Sequence, residues 1–99
     1  MPYTGFDWDE GNARKNEKHS VSKAEVERVF LNAPLIVAED RKHSQRKPRF
    51  HALGRTDQER KLHITFAETE NGTLIRPISA RAMNRKERAI YEQAVQANP

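Results

Sequence analysis

The sequence predicts an α+β domain, and three observations carry that expectation. Ser22-x-x-Glu25 is a capping box, and the apolar residues after it recur at helical spacing. Asn71-Gly72 is a strong hairpin signal, with apolar strand-like runs on either side of it. Asn84 stands three residues before Glu87, which repeats the cap spacing ahead of a basic C-terminal segment. Helices, strands and a helix that follow one another in blocks give segregated layers rather than alternating βαβ units.

Taken in order, the elements begin with Phe6 and Trp8 alternating with Asp7 and Asp9, a short edge strand that ends in a helix cap. Asp9 is the N-cap expected for a polar first helix through about Lys18. His19-Ser20-Val21 then connects to a second helix. Val21 and Val26 have the spacing of a hydrophobic staple, and Val26, Val29, Phe30 and Ala33 form one apolar stripe. Pro34 stops that helix. Residues 35–39 read as a strand and 40–47 as a basic loop. Residues 49–56, 62–68 and 74–81 read as three strands of an antiparallel meander. A last helix covers 84–97, with Ile90, Tyr91 and Ala94 on its apolar side.

Composition bounds what such a domain can do. Ninety-nine residues make one domain, 1–99, and with 35% apolar and 32% charged residues its core is lean. No apolar run approaches the roughly 18 residues of a membrane span and no signal-peptide pattern opens the chain, so cytoplasm is the expected compartment, with no membrane partner. Cysteine is absent, which excludes disulfides, thiolate nucleophiles and thiolate metal sites. No Gly-rich phosphate loop or Ser/His/Asp pattern is visible, and the four histidines lack His-x-x-x-His spacing. Neither a cofactor nor a metal is expected.

Charge is distributed unevenly. Residues 1–40 hold five basic and eight acidic side chains, residues 41–63 hold eight basic and two acidic, and the net charge is +4. An acidic front and a basic middle favour a nucleic-acid backbone as partner over a neutral metabolite. Arg76, Arg81, Arg85, Lys86 and Arg88 crowd the passage from the last strand to the last helix. Arginines placed so suit planar anions such as phosphate, against the alternative of a solvated basic face.

Strand register follows from keeping apolar sets together. A five-residue connection at 57–61 places Thr56 opposite Leu62, and Phe50, Ala52 and Gly54 then share a face with Leu62, Ile64 and Phe66. The other face carries Arg49, His51 and Arg55, with His63 beside Arg55. A three-residue loop at 71–73 pairs Ile78 with Phe66 and sets Arg81 beside His63, giving a row Arg55–His63–Arg81. A two-residue Asn-Gly turn puts Arg76 on that face instead. Leu53, Ile75 and Pro77 also fall there, so the last helix is expected to cover part of it.

The segments GFDWD at 5–9, NEKHSVSKAE at 16–25, RFHALGRT at 49–56, LHITF at 62–66 and IRPISARAMNRKERAIYE at 75–92 resemble the BrnT toxins of bacterial type II toxin–antitoxin pairs. The likeness runs through nearly the whole chain, and ISAR-x-A-x-x-x-E-x-x-x-Y, from Ile78 to Tyr91, is its most specific part. Two positions depart from the pattern. Ser20 stands where the family usually has glycine, at a strain cost of roughly 1 kcal/mol if the backbone there is left-handed. Pro77 replaces a β-branched residue and removes a ladder donor, which suggests an edge or a bulge.

The resemblance implies a RelE-like fold and a small RNase that arrests translation until a cognate BrnA-like antitoxin binds it. Operator DNA would be met only through the toxin–antitoxin complex. Arg81 lies within the signature and is the expected ligand of the scissile phosphate, with Arg55 and Arg76 behind it. His63 matches the family's LHV-like strand and is the favoured general acid or base, His51 its substitute. Arg49, His51, Lys61, Arg85 and Lys86 are the expected RNA contacts. Lys18 and His19 match a family Lys-His pair, for which closure of a helix C-terminus is the plainer role. Trp8 is expected in the core, and Tyr91 beneath the basic edge. Two function classes remain at this point: a metal-independent endoribonuclease, or an inactive nucleic-acid and antitoxin-binding protein that acts in promoter autoregulation.

Overall fold

The computed structural model describes residues 3–9, 11, 20–43, 47–69 and 71–97. Five strands, β1 (Gly5–Phe6), β2 (Ile36–Glu39), β3 (Arg49–Arg55), β4 (Lys61–Thr69) and β5 (Leu74–Ala82), form one sheet in the order β1-β5-β4-β3-β2. Helix α1 (Lys23–Leu31) precedes β2, and α2 (Arg85–Ala97) follows β5. The α+β class holds. Of the expected first helix at about 9–18, residues 10 and 12–18 lie outside the described residues, and among the described residues one helix, not two, comes before the meander.

The sheet is mixed where a purely antiparallel one was expected. β1 runs parallel to β5, with Gly5 opposite Leu74 and Phe6 opposite Ile75. The meander leaves the outer edge of β5 open, and the start of the chain occupies it. Thr4 N–H donates to Thr73 O and Asp7 N–H to Ile75 O, both at 2.8 Å.

Local signals explain both helices. Ser22 Oγ accepts from Glu25 N–H at 3.1 Å while Glu25 accepts from Ser22 N–H at 3.0 Å, the reciprocal capping box. Val21 and Val26 are both buried, as a staple requires. Val29 and Phe30 continue the buried stripe, and Ala33 lies past the helix end, exposed. Asn84 and Glu87 form the second capping box, at 2.8 and 2.9 Å. Ile90 is exposed, contrary to expectation, because the stripe of α2 runs through Glu87, Tyr91 and Val95 at i, i+4 spacing.

The two helices lie on opposite faces of the sheet. Val26, Val29 and Phe30 of α1 pack with Ala52, Leu62, Ile64, Phe66 and Ile75, and Phe30 meets Phe66 edge-on at 5.1 Å. Trp8 packs against this core and donates Nε1–H to Glu27 at 2.9 Å. Gly54 is the contact point of α1 with β3, since a Cβ there would come within 2.6 Å of Val29 Cγ1. On the other face, Tyr91 and Val95 of α2 join Leu53, Met83 and Ile36.

Register departs from expectation in two places. Arg55 pairs with Lys61 and Leu53 with His63, so the row is Leu53–His63–Arg81 rather than Arg55–His63–Arg81. Thr56 is the cause: its hydroxyl accepts from Gln58 and Arg60 N–H, which draws it into the turn. In β5, the register shifts at Thr65/Phe66 and sets Pro77, not Ile78, opposite Phe66. This bulge turns Ile75 and Pro77 onto the α1 face, where both are buried. It also lets both alternatives for the Asn71-Gly72 turn hold, each on its own half of β5. Arg76 opposite Ala67 and Arg81 opposite His63 therefore share the α2 face.

Candidate active site

Among the described residues, helix α2 packs on one end of its face and leaves the other end uncovered. The side chains there form cross-strand rows: Arg55 with Lys61, then Leu53–His63–Arg81, then His51–Thr65–Ser79, then Arg49–Ala67–Arg76. Arg55 and Lys61 lie at the α2 end and pair with Glu59 at 3.2 Å and Glu92 at 2.8 Å. His63, Arg81, His51 and Thr65 fall at the margin of α2 and beyond it.

Arg81 sits at the end of β5, where the chain turns into α2. Its Nη1 and Nη2 donate to the two carboxylate oxygens of Glu87 at 2.8 and 2.9 Å, and Nη1 donates again to Ala82 O at 3.1 Å. A guanidinium has five N–H groups. Among the described residues these three contacts leave Nε–H and one Nη2–H, which lie together on one edge of the planar group. That edge is a bidentate fork of the kind that fits a phosphate or carboxylate. The Arg81 hydrogen bonds, joined by the bond from Asn84 N–H and opposed by burial, bring the Glu87 carboxyl down to about 2.

His63 is 9% exposed, and its Nε2 lies 3.9 Å from Glu87 Oε2. Burial pushes its imidazole below the usual histidine range, and the Arg81 cation adds to the effect, partly opposed by Glu87. The shift favours the neutral ring. The His51 ring lies against it, centroid to centroid 4.9 Å and tilted by 33°. His51 Nε2 is 2.9 Å from Asp40 Oδ2, and its Nδ1 is 3.2 Å from Thr65 Oγ1.

The sequence-predicted residues thus divide. His63, Arg81 and His51 come together. Arg55 is a row away beneath α2, and Arg76 lies at the far end of β5, five residues or roughly 16 Å along the strand. Arg76 pairs with Asp7 and Asp9. Arg85 and Lys86 stand exposed on the first turn of α2 next to Arg81, where the helix dipole disfavours cations. Tyr91 is buried, with its hydroxyl donating to Pro34 O at 2.7 Å.

Three polar partners were not legible as site residues. Glu87 is visible in the sequence as a cap, and a cap on the residue after a strand end brings its carboxylate back to that strand. Asp40 and Thr65 required the β2–β3 and β3–β4 registers. The shifted pairing sets His51 beside Ala67 and so hides Thr65.

No helix of the described residues is long and apolar enough to cross a membrane. A comparison with curated proteins finds no match. The family model described as "Ribonuclease toxin, BrnT, of type II toxin-antitoxin system" matches residues 8–87. The chain belongs to the BrnT family of ribonuclease toxins.

Proposed function

We propose that this protein is a metal-independent endoribonuclease that cleaves RNA by its own 2′-hydroxyl, halts translation in doing so, and is silenced by an antitoxin encoded with it. One observation carries the reading: Arg81 stands opposite His63 across β4 and β5 and holds Glu87 through Nη1 and Nη2, with no bond from its Nε–H among the described residues, while burial favours the neutral His63 ring. The fork would bind two non-bridging oxygens of the scissile phosphate and stabilise the charge that builds on them. His63, its neutral form favoured, would take the 2′-hydroxyl proton. The RNA strand would follow the rows of the α2 face, toward Arg49 and Arg76 at one end and Arg85 and Lys86 at the other.

The experiment is cleavage of a short RNA by the purified chain in EDTA. Products with a 2′,3′-cyclic phosphate, and no cut where a single 2′-deoxy sugar occupies the scissile position, are the expected result. Cleavage of the deoxy substrate, or loss of activity on chelation, removes the mechanism. A folded chain that binds RNA and cuts none of it would place the protein among binding proteins that regulate their own promoter.

A further inference from the structure

The pair Asp40–His51 has no part in the mechanism above, yet it is built with care. Asp40 follows the end of β2, and its backbone N–H donates to Arg49 O at 2.7 Å. That bond already fastens the end of β2 to β3, so the side-chain pair is not needed to hold the edge. The Asp40 side chain is only 12% exposed, whereas that of His51 is 37% exposed. The carboxylate is thus the more buried of the two groups and the imidazole the more exposed.

An ionised carboxylate only accepts, so Nε2 of His51 carries a hydrogen whichever form the ring takes. Nδ1 faces the Thr65 hydroxyl, which can donate to a neutral ring and accept from a charged one. The ring can therefore gain or lose a proton at Nδ1 without moving. The β-bulge follows Thr65 directly. The neighbouring His63 has the opposite surroundings, buried and beside a cation. Two imidazoles 4.9 Å apart, one buried beside the Arg81 cation and one hydrogen-bonded to a carboxylate, stand close enough to serve one reacting phosphate.

We infer that His51 is the general acid of the reaction and that Asp40 is its positioning residue. This rests on the ribonuclease reading. In the step, His63 takes the 2′-hydroxyl proton and the 2′-oxygen forms a bond to phosphorus. The bond from phosphorus to the 5′-oxygen breaks, its electron pair goes to that oxygen, the Thr65 hydroxyl gives that oxygen its proton, and Nδ1–H of the charged His51 ring, which faces Thr65, replaces it. The products are a 2′,3′-cyclic phosphate and a 5′-hydroxyl. His63 ends protonated and His51 neutral, and exchange with water resets both.

A general acid is dispensable when the leaving atom needs no proton. Two short RNAs that differ only at the scissile link, one with the natural 5′-oxygen and one with a bridging 5′-sulfur, would be compared. Rates would be taken per folded molecule, with the folded fraction from thermal melts. His51→Ala is expected to lose about 10²–10⁴-fold on the oxygen link and to recover most of that on the sulfur link. Asp40→Asn should fall in kcat on the oxygen link with KM unchanged, and recover likewise. His63→Ala should lose on both. Equal loss by His51→Ala on the two links overturns the assignment. So does full kcat for Asp40→Asn where Arg81→Ala has lost activity, in which case the ribonuclease reading stands and this inference falls. If the unaltered chain cuts neither link, both fall together.

Discussion

Arg81 holds Glu87 with one edge of its guanidinium and, among the described residues, makes no hydrogen bond from the adjacent edge. Replacement by alanine should leave a folded protein, because the side chain is 39% exposed and Glu87 keeps its cap bond to Asn84 N–H. Activity should fall about 10²–10³-fold, the usual cost of losing one donor to a developing oxyanion. Arg81→Lys should recover little, since a point charge cannot serve a carboxylate and a phosphate by two planar forks. Cleavage rates and a melt of each variant decide this; unfolding of the alanine variant would make the pair structural. For His63, the sign of the pH dependence follows from burial. Its folded value lies below 6.5, so a reaction that needs the neutral ring rises with pH and levels off at a midpoint on the acid side of 6.5. His63→Ala should abolish that limb of the kcat/KM profile, and an unchanged profile would move the base elsewhere.

The cap of α2 joins helix stability to the site. Glu87 has a folded value of about 2 against an ordinary 4.5, a depressed carboxyl. Its contribution to stability is therefore complete above about pH 4.5 and is lost as pH falls toward 2. Glu87→Gln keeps the capping-box geometry and removes the charge. The variant should melt below the parent at pH 7 and close to it near pH 2; a constant gap would mean that charge is not what Glu87 supplies. The entry to α1 has a different defect. Ser20 lies at φ +57°, the left-handed region, while its carbonyl accepts from Arg60 Nη1 at 2.7 Å. The family's usual glycine fits that backbone without strain. Ser20→Gly should stabilise by about 0.5–1 kcal/mol, the strain relieved less glycine's extra unfolded freedom, as read from urea unfolding. Destabilisation would mean that the serine hydroxyl matters more than its backbone.

At the scale of the molecule, the uneven charge of the sequence becomes a face. Arg49, Arg55, Lys61, Arg76 and Arg81 all come from strand positions that point the same way. Arg76 is balanced by Asp7 and Asp9 of the acidic front, which leaves the stretch near Arg81, Arg85 and Lys86 the more positive end. An antitoxin that blocks an RNA site there must bring acidic residues to it. Its association should be fast at low salt and fall several-fold by physiological salt, measured by stopped flow. A rate that is flat with salt would place the docking surface elsewhere.

Ser22 with Glu25, Asn84 with Glu87, Val21 with Val26, and the Asn71-Gly72 turn were determined by the sequence alone, because each is a contact between residues only a few positions apart. The face on which Arg49, His51, Arg55 and His63 lie was equally determined, since side chains alternate along a strand. Which of them meet was not. Moving the β3–β4 pairing by two residues keeps every side chain on its face, so the hydrophobic pattern reads the same in either register. The Thr56 turn chose between them and set Leu53, not Arg55, beside His63. The bulge after Thr65 placed Arg76 and Arg81 on one face, which no single turn length could do. The Asp40–His51–Thr65 contacts span three strands. They exist only after loops of many residues have closed, and residue spacing holds no trace of them.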